Sequence, residues 1–126
     1  MGVFVTVYPG LNAVFLSLFT YDSEDNGATA TFGSSGHRWL TAFGGFTGNS
    51  ATLDVELTEG GVFDSGTPPI SQQAGYGTIT VTFTDCENGT LTYSFPDAGL
   101  SGTIPLSRVA PDNVSLCESL SGTGEQ

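Results

Sequence analysis

The chain has no lysine, and two arginines stand against thirteen carboxylates in its 126 residues, for a net charge of -11. Such a surface repels phosphate backbones and anionic bilayers, so nucleic acid and acidic membranes are poor candidate partners. There is no run of ~18 apolar residues, so no helical membrane span is expected. The opening Met1-Gly2-Val3-Phe4-Val5 lacks the basic region, apolar segment and cleavage site of a signal peptide, and the expectation is a leader removed upstream. Cysteine is scarce too. Cys86 and Cys117 are the only two, and in a small acidic chain such a pair reads as one disulfide rather than as two buried thiols of a cytosolic protein. That places the chain in an extracellular, cell-surface or periplasmic compartment.

What the chain has in quantity is glycine, threonine and serine, with charged residues at only 12%. Its organising stretch runs from Thr78 to Phe95, where apolar and hydroxyl residues alternate on either side of Asp85-Cys86-Glu87-Asn88-Gly89. Period-two alternation predicts two strands, each with an apolar and a hydroxyl face. A two-residue Asn88-Gly89 loop would set the apolar row of one strand against the polar row of the other. A three-residue loop, Glu87-Asn88-Gly89 with a glycine bulge, instead puts Phe83 opposite Tyr93 and Val81 opposite Phe95. Phe83, Tyr93, Val81, Phe95, Leu53 and Val55 are then expected to share one core.

Strands are predicted over 3–8, 13–21, 37–43, 51–58 and 102–109, with a short one over 28–32. Turns are expected at Pro9-Gly10-Leu11-Asn12, Glu59-Gly60-Gly61 and 97–101, a sharp bend at Gly44-Gly45, a loop over 22–27 and a long loop over 64–75. Pro105 would remove a ladder donor, which points to an edge strand. Pro111-Asp112-Asn113 opens a short helix with Val114, Cys117 and Leu120 on one face. The expected architecture is one all-β domain over 1–120 with a disordered tail at 121–126. It is an antiparallel meander of seven or eight strands closing as a barrel, or else folding over as a sandwich.

Phe15 to Asp22, Gly36 to Ala42, Gly60 to Asp64, Asp85 to Thr90 and Ile104 to Arg108 together resemble a β-rich module that recurs in secreted and surface proteins of bacteria. Its hallmarks are a "W-F-T-Y-D" strand and an "N-G-T" hairpin. The resemblance covers about the whole chain and implies a fold rather than an activity. The aromatic "W-N-P" segment that usually precedes the first strand is missing, and Leu18 stands where the module commonly shows Trp.

Two stretches are candidate sites. Asp22, Glu24 and Asn26 place oxygen ligands at alternate positions before Gly27, as a calcium loop begins, but the twelfth position is Gly33 rather than a bidentate Glu. The EF-hand reading fails, and calcium in an irregular site is the one cofactor the chain suggests. His37, Arg38 and Trp39 concentrate the only His, the only Trp and one of the two basic residues. They could line a sugar or small-molecule site, while the ordinary reading makes Trp39 a core residue and pairs Arg38 with a carboxylate. No Gly-x-Ser-x-Gly elbow or paired carboxylates mark a catalytic centre, so the chain is not expected to be an enzyme. The expectation is a non-catalytic structural or binding module with a protein or carbohydrate partner, its oligomeric state open. A small-ligand barrel is the alternative.

Overall fold

The computed structural model describes residues 2–19, 38–62 and 64–121. Among the described residues seven strands form: β1 (Gly2–Tyr8), β2 (Ala13–Phe19), β3 (Arg38–Thr47), β4 (Ser50–Val62), β5 (Ser65–Phe83), β6 (Asn88–Phe95) and β7 (Leu100–Ser107). One helix, α1 (Val114–Ser121), follows. The seven strands make a single antiparallel sheet in sequence order. Among the described residues no pairing joins β1 to β7, so the sheet is open and the expected barrel closure is not formed. Ser121, expected to begin the tail, closes α1, while the expected 28–32 strand and residues 122–126 lie outside the described residues.

The first and last hairpins turn by the same device. Tyr8-Pro9-Gly10-Leu11-Asn12 and Phe95-Pro96-Asp97-Ala98-Gly99 each place proline at the start of a single 3₁₀ turn and end on a left-handed residue. The N–H of Asn12 donates to the Pro9 carbonyl at 3.1 Å and that of Gly99 to Pro96 at 3.0 Å. Proline pre-sets φ where its missing donor costs nothing, and Asn or Gly tolerates the positive φ that reverses the chain.

One face of the sheet is apolar. Leu16, Leu40, Ala42, Leu53, Val55, Leu57, Ile79, Val81, Leu91 and Phe95 are all buried there, with Leu16, Leu53, Ile79 and Leu91 at 0% exposure. Curling of the sheet accounts for burial this deep. Cα atoms of β2 and β4, two strands apart, approach within 8 Å, less than the ~9.6 Å that two flat intervals would give. Gly44 sits at this bend, and a Cβ there would lie 2.5 Å from the Thr52 carbonyl oxygen. The Gly44-Gly45 pair therefore bends the sheet without ending the strand, which runs on to Thr47.

Gly77 plays the same part between β4 and β6. It is paired with Val55, and a Cβ on it would overlap the Ser94 carbonyl oxygen and meet the Phe95 ring at 2.8 Å. Because the obstruction is backbone, it cannot swing aside. Gly77→Ala should cost about 1–3 kcal/mol or more, whereas Gly10→Ala, with nothing within 4 Å, should change stability by less than about 0.5 kcal/mol. Urea midpoints of the two variants measure the difference.

Three of the expected turns and loops need correction. The loop between β5 and β6 is not Glu87-Asn88-Gly89: Ile79 faces Tyr93, Val81 faces Leu91 and Phe83 faces Gly89. Asp85 directs this register. Its Oδ1 accepts the N–H groups of Glu87 and Asn88, each at 2.8 Å, so the chain reverses before Asn88-Gly89 and both residues enter β6. Glu59-Gly60-Gly61 is no turn either. Gly60 and Gly61, at φ 79° and 78°, lie at a register shift within β4, a bulge that needs positive φ. The third correction is the loop over 64–75. The chain reverses between Val62 and Ser65, with Asp64 at φ 55°, and Ser65 and then Ile70 to Gln73 pair back along β4. Pro68 and Pro69 are tolerated because they fall in the register shift between the Val62–Ser65 and Gly60–Ile70 pairs, and β6 pairs with β5 only from Thr78 onward, so neither side has a ladder bond there for them to break.

Candidate functional site

The sheet's other face divides into two halves. Over β4 to β7 it is a hydroxyl lattice: Ser50 and Thr82 lie 3.1 Å apart, Thr52 and Thr80 3.3 Å, and Thr92 and Thr103 3.2 Å, oxygen to oxygen. Over β1 to β3 it is aromatic. Phe15 is paired with Phe43, and Phe19 and Trp39 flank the Leu18–Leu40 pair. Phe4 meets Phe19 edge to face, their ring centroids 5.7 Å apart. Phe4 is 71% exposed, Phe19 54%, Trp39 50% and Phe43 49%. Asp54, paired with Phe43, and Glu56, paired with Thr41, mark the border between the halves.

Trp39 is therefore not a core residue. Alternation along β3 sends Leu40 and Ala42 inward, and parity puts Trp39 on the opposite face, paired with Thr58. Of its two expected companions, His37 lies outside the described residues, and so does the Arg38 side chain. The calcium candidates Asp22, Glu24 and Asn26 lie outside them as well. Among the described residues no three of His, Cys, Asp and Glu gather as a metal group, and no helix is long and apolar enough to cross a membrane. The sequence reading foresaw the threonine face but overlooked the aromatic one. The signal lay in β1, where Phe4 and Tyr8 alternate with Val3, Val5 and Val7.

The disulfide marks a second constellation at the end of the β5–β6 hairpin. Cys86 and Cys117 are bonded, with their Cα atoms 5.8 Å apart, as the sequence leads one to expect. Arg108, just past β7, locks the same corner. Its Nε donates to the Cys86 carbonyl at 2.6 Å, its Nη1 to the Asp112 carbonyl at 3.3 Å, and its backbone N–H to the Glu87 carbonyl at 3.0 Å. One guanidinium so ties the hairpin loop to the segment that leads into α1. Val114 is buried beside this corner, while Leu120, expected to share its stripe inward, is 54% exposed. Eight residues turn barely twice, and the two ends of the stripe do not both reach the sheet.

Hydrogen bonds from the Glu87 N–H, the Asn88 side-chain amide and the Asn88 N–H hold the Asp85 carboxyl below its ordinary value of 3.8. A lowered carboxyl supports the fold above its unfolded pKa and loses that support as pH falls through the folded one. The melting temperature should accordingly decline below about pH 4. Asp85→Ala should melt lower at neutral pH and show a shallower acid decline, as thermal melts across that range will register. An unchanged acid slope would show that other carboxylates dominate.

Comparison with known proteins finds no matching family model, no matching curated protein and no matching solved structure.

Proposed function

We propose that the chain is a non-catalytic, secreted bacterial β-module that works as a structural or binding unit at the cell surface. The observation that carries this reading is the Cys86–Cys117 disulfide, joined to an acidic, lysine-free composition. A bond of this kind persists where no thiol-reducing system acts on it. The resemblance to the module of secreted and surface bacterial proteins points the same way. The test is made on the product of the native gene in its own cells, by surface and periplasmic fractionation with thiol alkylation before and after reduction. Recovery outside the cytoplasm, with thiols appearing only after reduction, supports the reading. Cytoplasmic protein with two alkylatable thiols overturns it.

A second reading, binding of an apolar or sugar ligand, is favoured by the half-exposed indole of Trp39 beside other exposed rings, since sugars and apolar molecules stack on such faces. Here the ligand would lie on the outer face rather than inside a closed barrel. Titrating Trp39 fluorescence with sugars and lipids separates the readings: saturable quenching favours ligand binding, and a flat response favours the structural role.

A further inference from the structure

The two ends of the sheet are built differently. β7 carries Pro105, which has no N–H to offer a newcomer, and is followed by Arg108 and the disulfide-tethered helix. Among the described residues β1 is paired with β2 on one side only. Its sequence, Gly2-Val3-Phe4-Val5-Thr6-Val7-Tyr8, holds no proline and no charge, and β-branched and aromatic residues fill it. Protein edges are ordinarily blunted by Lys, Pro or a bulge. β1 has none of these devices, and every second residue points its N–H and C=O away from β2.

We propose that β1 is the docking edge for a second copy of this chain, the two β1 strands pairing antiparallel about a two-fold axis at Val5. Charge selects this edge. At -11 two copies repel over most of their surface, yet residues 1–21 contain no charged side chain, so here two copies can meet without opposing carboxylates. Register selects the axis. With Val5 opposite its own copy, Val3 faces the partner's Val7, Phe4 its Thr6 and Gly2 its Tyr8. All seven residues of the strand are then paired, valines stay with the apolar face, and the aromatic faces of the two copies join. Phe4, at 71% exposed the most open ring in β1, is covered by the partner's Thr6. This self-complementary arrangement closes as a dimer and leaves no free β1 edge to propagate.

The test uses the full chain with its disulfide intact. Sedimentation velocity from about 1 µM to 1 mM, a range that brackets weak association, should show a monomer–dimer equilibrium, and added salt should strengthen it by screening the acidic surfaces. Val5→Cys should cross-link copy to copy on oxidation. Val7→Cys should not, because the two Val7 positions lie about 14 Å apart in this register. Phe4→Lys with Thr6→Lys, both exposed positions, should weaken the dimer at least tenfold. Should that pair unfold the chain by circular dichroism, Thr6→Lys alone makes the same test. A monomer at every concentration, a dimer indifferent to the lysines, or equal cross-linking from positions 5 and 7 overturns the proposal.

Discussion

Reducing the Cys86–Cys117 bond, or replacing both cysteines with serine, should lower stability by about 3.5–4 kcal/mol, the chain-entropy value for a loop of this size, since the two residues are 31 positions apart. For a chain of this length that corresponds to a fall in melting temperature of roughly 10–15 °C. The loss should also be local. α1 has eight residues, too few to hold a helix alone, and Val114 is its one buried apolar side chain. Amide exchange over 114–121 should therefore rise toward that of an open chain while the central strands stay protected. The Arg108 bonds to the Cys86 and Asp112 carbonyls should hold the segment before the helix. Unchanged protection of α1 after reduction would mean that packing, not the bond, orders it.

Leu53→Ala should cost about 3–5 kcal/mol, the upper part of the range for a buried leucine, because Leu53 is fully buried and lies against Gly44 at the bend. There is no neighbouring Cβ at Gly44 to move into the space. The contrast is Phe83→Ala. On the sequence alone Phe83 belongs to the core and its truncation should be as severe. In the structure the ring lies at the last pair of β5–β6, across from Gly89, and is 43% exposed, so the loss should stay under about 1.5 kcal/mol. Thr82→Ala, which gives up only a hydroxyl contact with Ser50, should cost less than about 1 kcal/mol. Urea unfolding of the three variants ranks them, and equal losses at Leu53 and Phe83 would place Phe83 in the core after all.

Of the candidate site, the threonine half was legible from Thr78-Ile79-Thr80-Val81-Thr82 alone. The aromatic half was not, because Phe4, Phe15, Phe19, Trp39 and Phe43 are scattered along the chain and become neighbours only when β1, β2 and β3 are in register.

By itself the sequence determined the all-β class, the meander, the two alternating faces of most strands, the turns after β1 and β6 and the disulfide, for which no other partners exist. Each is a local property or follows from parity. The tertiary structure alone decided the β5–β6 register, the conversion of Gly60-Gly61 from turn to bulge, the length of β5 and the openness of the sheet. A period-two pattern is unchanged when one strand slides past another by an even number of residues. Phe83 against Gly89 and Phe83 against Tyr93 therefore satisfy the same alternation. What separates them is the Asp85 carboxylate, which captures two backbone N–H groups and reverses the chain early, and the crowding at Gly44 and Gly77 that curls the sheet.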